Sequence, residues 1–302
     1  FYMWSSGSVA SRLTTFLASK ALRGRVDALD QTEYPRIFQH KAFKGSLYKL
    51  VDTVIDAGSL LETLSKTHSE RIFAIDEQTT RLHRQGDGAA VTLQVNGAPL
   101  TIHSQLCVLA AGKGNGALLE QLNVASPAMQ LRPLQQVMVR HQHPHALYAH
   151  CVGTDSKPRL TISSHADGDH TVWYLGGQLA EEGAALAEDV LIERAQQEIT
   201  ELFSWLDWRD AQWATLRVER AEPEQPDLLR PDNAWLKPCE NLSRFLVAWP
   251  TKLTLTPNLG NLFMDYVTHH IQPQFNESLP AELPRMTTIA TSPWMNVQWV
   301  RN

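Results

Sequence analysis

The sequence predicts an α/β fold combined with α+β, in which an α/β domain is interrupted by an antiparallel-sheet domain. Three stretches carry this expectation. Leu106-Cys-Val-Leu-Ala-Ala-Gly112 is an unbroken apolar run ending in small residues, the pattern of a strand buried on both faces of a parallel sheet. Phe245 to Val267 reads as a second apolar strand, a short polar loop and an amphipathic helix. Between them, Val137 to Arg140, Ala146 to Val152, Leu160 to Ser163 and Thr171 to Gly176 follow at short intervals. They are rich in β-branched and aromatic residues, as antiparallel strands are.

In chain order, Phe1 to Trp4 suits a strand, and Ser8 can cap a helix with Val9, Leu13, Phe16, Leu17 and Ala21 on one face, stopping near Gly24. Residues 34–45 read as irregular and Ser46 to Val51 as an edge strand. Ser59 and Glu62 have capping-box spacing before a helical face of Leu60, Leu61 and Leu64. Arg71 to Ile75 suggests a strand. Val91 to Val95 and Leu100 to Ile102 suggest a hairpin around Asn96-Gly97, its second arm an edge because of Pro99. A short helix is expected over Ala117 to Leu122. A long one is expected from Leu186 to Leu206, with Leu191, Ala195, Ile199, Leu202 and Leu206 on one side. Trp213 to Arg220 returns to strand, and Pro223 to Pro238 reads as a proline-rich loop. Thr256 is a candidate N-cap with Pro257 in the first helical position, ahead of a face of Leu259, Leu262, Phe263, Tyr266 and Val267. The resulting division is 1–50, 51–120, 121–244, 245–271 and an irregular tail, 272–302.

The 302 residues are 43% hydrophobic, enough for one large or two ordinary domains. A net charge of -5, with no run of Lys and Arg, argues against a nucleic-acid partner. No apolar segment reaches the roughly 18 to 20 residues of a membrane span. Three cysteines, Cys107, Cys151 and Cys239, are an odd number without a CxxC, and read as reduced thiols of a cytoplasmic protein.

Four segments, in order, carry a family resemblance. Ile55-Asp56 through Leu64 looks like a "vDp..l...L" helix, and Leu106 to Gly112 like a "vVvAAG" strand. Trp213-Ala-Thr-Leu-Arg-Val218 resembles a "W.GlRP" strand, and Trp249 to Pro257 a "G...GlTlaP" loop. Thr171 to Gly177 is also similar to the strand that returns through the substrate domain. Together they resemble the D-amino-acid-oxidase-like FAD-dependent oxidoreductases, which include glycine and sarcosine oxidases and glycerol-3-phosphate dehydrogenase. The resemblance spans about residues 46 to 271 and implies an FAD/NAD(P)-binding domain interrupted by an antiparallel substrate domain. The family's GxGxxG turn has no counterpart, because Gly112-Lys-Gly-Asn-Gly116 follows the AAG strand and does not open the fold. The expectation is therefore an incomplete FAD domain, resembling the part of such an enzyme after its N-terminal dinucleotide-binding unit.

The resemblance implies FAD as cofactor, with Ala110, Ala111, Gly112, Thr251, Lys252, Leu253 and Thr254 beside it. Lys252 would stabilise charge developing at the flavin N1/C2 edge, although Pro250-Thr251-Lys252 stands where the family has glycines. Arg217 occupies the place of the family's "GlRP" arginine near a substrate carboxylate, and a salt-bridged strand edge is its other reading. The implied reaction is hydride transfer from a carbon alpha to an amine or hydroxyl of a small amino or hydroxy acid. The alternative is a chain that acts as a binding module without flavin. His141-Gln-His-Pro-His145 could hold a metal if extended, but reads better as a solvated strand end. His269-His270 reads as a helix-dipole complement. Ser163-Ser164-His165 lacks a GxSxG elbow. Trp173, Tyr174 and Trp249 are candidate pocket residues.

Overall fold

A computed structural model describes residues 1–5, 26–51, 53–153, 157–273, 280–286 and 288–301; the helix expected over Ser8 to Gly24 lies outside the described residues. The strands are β1 (Tyr2–Ser5), β2 (Val26–Ala28), β3 (Leu47–Leu50), β4 (Arg81–Gln85), β5 (Gly88–Val95), β6 (Ala98–Ser104), β7 (Cys107–Leu109), β8 (Met129–His141), β9 (Ala149–Val152), β10 (Pro158–Asp167), β11 (His170–Gly176), β12 (Gln212–Pro223), β13 (Trp235–Cys239), β14 (Leu242–Trp249) and β15 (Val300–Arg301). The described α-helices are α1 (Ala57–Thr67), α2 (Asn115–Gln121), α3 (Gln178–Gly183), α4 (Glu188–Leu202) and α5 (Thr256–His270). They fall into two compact units: unit 1 comprises Phe1–Leu61, Pro133–Val218 and Ala290–Asn302, and unit 2 comprises Glu62–Arg132 and Glu219–Ile289.

Unit 1 is built on a nine-stranded sheet in the order β15-β12-β8-β11-β10-β9-β1-β3-β2. Its centre is antiparallel, with β11 paired to both β8 and β10, as the alternating apolar segments predict. The N-terminal strand β1 joins this sheet, parallel to β9 and antiparallel to β3. The segment expected as an edge is therefore interior, and β2 is the edge. One face of the sheet carries the core: Trp4, Leu47, Val137, Val139, Leu160, Ile162, Trp173, Leu175 and Trp213. α4 seals it with Leu191, Ala195, Ile199 and Leu202, the stripe read from the sequence, although the helix stops at Leu202. Two 3-10 turns, Gln31–Glu33 just before the stretch expected to be irregular and Arg36–Phe38 inside it, bring Tyr34, Ile37 and Phe38 to the same core. Phe203 meets Trp4, Phe38 and Trp173 at ring-centroid distances of 5.2 to 6.2 Å. Truncating such a ring costs about 3–5 kcal/mol. Between β11 and α3, Gly177 has φ +81° and a Cβ there would lie 2.7 Å from the Pro158 carbonyl, so only glycine makes this turn without strain.

Unit 2 holds two three-stranded sheets. β4-β5-β6 is an antiparallel meander whose Asn96-Gly97 turn takes positive φ at both residues, as a type I′ hairpin requires. β6, with Pro99, is its edge. The other sheet, β13-β14-β7, pairs β14 antiparallel to β13 and parallel to β7. Phe245, Leu246, Val247 and Trp249 of β14 are buried, but β7 lies at an edge and only its Leu109 is. The parallel strand expected to be covered on both faces is thus half covered. The proline-rich stretch ends in β13, which tolerates Pro238 because it is an edge strand. Arg71 to Ile75 is a 3-10 turn followed by a single bridge from Phe73 to Arg285, with no strand.

Two helices depart from their expected faces. α1 buries none of its residues, and Leu61 and Leu64 are 49% and 52% exposed. Asp56 engages its start, its Oδ1 accepting the Ser59 amide at 2.6 Å, so the Ser59–Glu62 capping box does not form the start expected. In α5, Thr256 is already helical and Leu255 precedes it without a side-chain cap; Leu259, Phe263, Tyr266 and Val267 are half-buried and Leu262 is 41% exposed. No described helix is long and apolar enough to cross a membrane.

Candidate active site

In unit 2, β7 and β14 run parallel and therefore end on the same side of their sheet. β7 ends at Leu109 and leads into the Ala110–Gly114 turn; β14 ends at Trp249 and leads into the Pro250–Leu255 loop. Ligands of α/β sheets bind at such carboxyl ends. Ala110 and Ala111 are exposed, and Gly112 takes φ +57° with nothing within 4 Å of a would-be Cβ. A buried asparagine that the sequence reading passed over fixes this turn. Asn115 Oδ1 accepts the Ala111 amide at 2.8 Å, and its Nδ2 donates to the Ala248 carbonyl at 3.3 Å, joining the ends of the two strands. The only advance sign was an asparagine set between two glycines. Trp249 Nε1 donates to the Gly112 carbonyl at 3.3 Å, and Trp249 is 1% exposed, so it supports the turn instead of lining a pocket. Lys113 pairs with Glu219.

The following loop is shaped by Thr251, which takes φ +62° and whose Oγ1 donates to the Asn233 carbonyl at 3.1 Å. Lys252 is extended (φ -146°, ψ 146°) and precedes the 3-10 turn Leu253–Leu255, which runs directly into α5. The first amides of a helical segment lack internal acceptors. Leu253 and Thr254 present theirs from exposed positions, while Lys252 is half-buried and has no ion-pair partner among the described residues. The seven cofactor candidates are thus grouped as a small-residue turn and a cationic, amide-presenting loop at the ends of two adjacent parallel strands. An open glycine turn, small neighbours and free helix-start amides fit the edge of a planar, electron-rich ring.

In unit 1, strand register arranges the second face of the sheet. Ser163 pairs with Tyr174 and Tyr174 with Met138; His165 pairs with Val172 and Val172 with Arg140. Thr161 pairs with Gly176, where a Cβ would meet Thr161 Oγ1 at 2.5 Å. Thr161, Ser163, His165, Tyr174 and Arg140 therefore share the face opposite the Trp173 core. Trp294, Val297 and Trp299 pack beside Met138, Val172, Ala214, Tyr174 and Leu216 there. Burial pushes the Tyr174 phenol up to about 12. Trp173, by contrast, is completely buried on the core side.

Arg217 follows Trp213 and Thr215 on the core side of β12. It is exposed, and its Nη1 donates to the Ala184 carbonyl at 2.8 Å, pinning the turn after α3. The salt bridges suggested by its neighbours form without Arg217: Glu219 pairs with Lys113, and Glu222 lies 3% exposed in unit 2. There Arg132 donates to both its oxygens, at 2.7 and 2.9 Å.

The three alternate histidines form no solvated strand end. His141 is 4% exposed, edge-on to Trp173 and Trp208, and burial drops its imidazole to about 3, with further repulsion from His143, His145 and His170. Among the described residues, no three His, Cys, Asp or Glu side chains are placed to hold a metal ion. His269 and His270 bond the Asp265 and Tyr266 carbonyls in the last turn of α5, as the dipole reading requires.

No protein-family model matches the chain. The chain is 42% identical over 288 residues to the probable FAD-dependent oxidoreductase PA4991 of Pseudomonas aeruginosa, covering 94% of this chain and 71% of that protein. The chain belongs to the FAD-dependent oxidoreductases. The crystal structure of PA4991 superposes with a TM-score of 0.79 over 97% of this chain and 74% of its own, at 37% identity. Iminodiacetate oxidase from Chelativorans sp. BNC1 shares the fold at a TM-score of 0.58 and 15% identity, over 94% of this chain and 74% of that one. Glycerol-3-phosphate dehydrogenase from Bacillus halodurans, complexed with FAD, does so at 0.54 and 14%, over 89% and 51%. The cofactor is FAD and the chain is an oxidoreductase of mixed α/β architecture with antiparallel sheets, as its motifs imply. Neither structure nor comparisons favour a flavin-free binding module.

Proposed function

We propose that the protein oxidises a small amino or hydroxy acid at the carbon alpha to its nitrogen or oxygen, with the FAD edge held by the turn after β7 and the loop after β14. The observation that carries the reading is the pair of loops after the parallel strands β7 and β14. Bound FAD accepts a hydride from the substrate carbon. Ala110, Ala111 and Gly112 give the close approach that larger side chains would block. Thr251, Leu253 and Thr254 offer backbone amides to a carbonyl edge, and Lys252 supplies the positive charge that stabilises anionic character there. The names of two neighbours, an oxidase of a secondary amine dicarboxylate and a dehydrogenase of a hydroxyl-bearing phosphate, support the amine-or-hydroxyl class.

Arg217 is not carried forward as the substrate-carboxylate ligand, because its guanidinium holds the turn after α3. Three buried or half-buried thiols without a disulfide support the cytoplasmic reading. The test is anaerobic mixing of the FAD-loaded protein with amino acids, N-alkyl amino acids and hydroxy acids. Bleaching of the flavin bands by a member of one class identifies the donor. Bleaching by none, while dithionite reduces the flavin normally, removes the proposed substrate class.

A further inference from the structure

Within unit 2, two arginines are held by backbone carbonyls around one cavity of about 150 Å³. The β4–β5 turn, with Gly86 at φ +56°, brings Arg84 and Asp87 to it. The β13–β14 turn, with Asn241 at φ +59°, brings Asn241, Ser243 and Arg244. Arg84 Nε donates to the Gly86 carbonyl at 3.0 Å, which leaves both its Nη groups without a partner among the described residues. Arg244, half-buried, donates from Nη1 to the His270 carbonyl at the end of α5, at 3.4 Å. Its Nε–Nη2 edge, the edge that grips two oxygens at once, stays unused. Neither guanidinium is ion-paired among the described residues, although Asp87 lines the same cavity. Like charges gathered at one cavity repel, and an anion between them removes that cost.

We propose that this cavity binds a small tetrahedral oxoanion that still carries a proton, hydrogenphosphate at neutral pH. The unused guanidinium edges of Arg84 and Arg244 take its charged oxygens, with the Ser243 hydroxyl and the Asn241 amide as further donors. The Asp87 carboxylate accepts the remaining P–O–H. A fully deprotonated anion such as sulfate has no proton to offer and meets Asp87 only as a like charge. Two guanidiniums against one carboxylate leave the cavity net positive, which favours an anion over a zwitterion. The volume admits one ion of this size with a few waters, each taking about 30 Å³. The site is distinct from the flavin loops. β14 starts at this cavity and ends at Trp249, so six residue steps separate Ser243 from the loop, about 20 Å along the strand. Binding here depends neither on the oxidation chemistry nor on the identity of its substrate.

The experiment is calorimetric titration of the FAD-loaded protein with phosphate, sulfate and glycine at low ionic strength. Wild type, Arg84→Gln, Arg244→Gln and Asp87→Asn are compared, and FAD uptake is measured in each. Arg84 and Asp87 are exposed beside a hairpin turn, so their variants keep the test intact even where Arg244→Gln disturbs the end of α5. Wild type should bind phosphate saturably, one ion per chain, and sulfate and glycine about tenfold more weakly or worse. Each arginine variant should weaken phosphate about ten- to a hundredfold. Asp87→Asn should raise sulfate affinity until the preference for phosphate is lost. FAD uptake should stay at the wild-type level throughout. Phosphate that does not saturate, or that binds a folded Arg84→Gln as tightly as wild type, overturns the site. Tighter binding of glycine than of phosphate overturns the ligand class, and an unchanged phosphate preference in Asp87→Asn overturns the role of Asp87. Loss of FAD uptake in a folded Arg84→Gln assigns the cavity to the cofactor and overturns a separate anion site.

Discussion

His141 gives unit 1 a calculable weakness to acid. The side chain is 4% exposed, its Nδ1 accepts the His143 amide at 3.1 Å, and its Nε2 is buried without a partner. Protonation would place a charge between the edges of Trp173 and Trp208, beside His143 and near His145 and His170. Burial therefore lowers the folded-state value from 6.5 to about 3. Between those values the unfolded chain binds the proton and the folded one does not, so stability is complete above 6.5 and declines as the pH falls toward 3. At about 1.4 kcal/mol per pH unit, the full drop corresponds to roughly 5 kcal/mol, an upper bound because local opening lets water reach the ring. Asp207, itself held near 2 chiefly by Arg209, tempers the repulsion through His143. The perturbation is His141→Asn, which keeps an acceptor for the His143 amide and cannot titrate. Urea unfolding followed by tryptophan fluorescence across this range should show wild type losing several kcal/mol and the variant losing much less. Equal acid dependence in both proteins would show that His141 is not the buried titrating group.

Three further outcomes follow from particular contacts. Arg132→Met strands the Glu222 carboxylate and should destabilise unit 2 by about 3–5 kcal/mol in denaturant titration, with most of the loss recovered when Glu222→Leu is added. Glu222, whose burial penalty is outweighed by its bonds to Arg132 and Gln130, titrates below its ordinary value; that stabilisation is present above 4.5 and fades on further acidification. Cys107, Cys151 and Cys239, pushed by burial to about 11, about 12 and about 11, should resist a thiol reagent at neutral pH and react on unfolding; rapid labelling of the native protein would contradict their placement. Lys252→Met should slow anaerobic flavin reduction about ten- to a hundredfold while leaving FAD bound; an unchanged rate would remove its proposed role.

Much of unit 1 was legible because its signals are periodic. The β-branched segments became adjacent antiparallel strands, and the α4 stripe of Leu191, Ala195, Ile199 and Leu202 is buried as read. What failed was long-range. Periodicity shows that Leu61 and Leu64 share a face, but cannot show whether another element covers it. The 71–75 segment has strand-like residues yet finds only one bridging residue, because ladder formation depends on a partner remote in sequence. The Ala110–Gly112 turn and the Thr251–Thr254 loop were singled out through resemblance, and the structure sets them at the ends of the parallel strands β7 and β14. Their anchor, Asn115, was not, since one asparagine acquires meaning only when two strand ends come within reach. Alternation of β12 from Trp213 already assigned Arg217 to one face, but not which face would be covered by α4. Ser163-Ser164-His165 was read only against a hydrolase elbow, since the stacking of Trp294 on His165 joins residues remote in sequence.

The account depends most on the flavin site formed by the turn after β7 and the loop after β14. Its direct measurement is titration of the purified 302-residue chain with FAD, followed by flavin absorbance and fluorescence, in wild type and in Gly112→Val. Stoichiometric uptake by wild type, with markedly weaker uptake by a folded Gly112→Val, is the predicted result. A wild-type chain that takes up no FAD, or a variant that binds it equally well, would contradict the site.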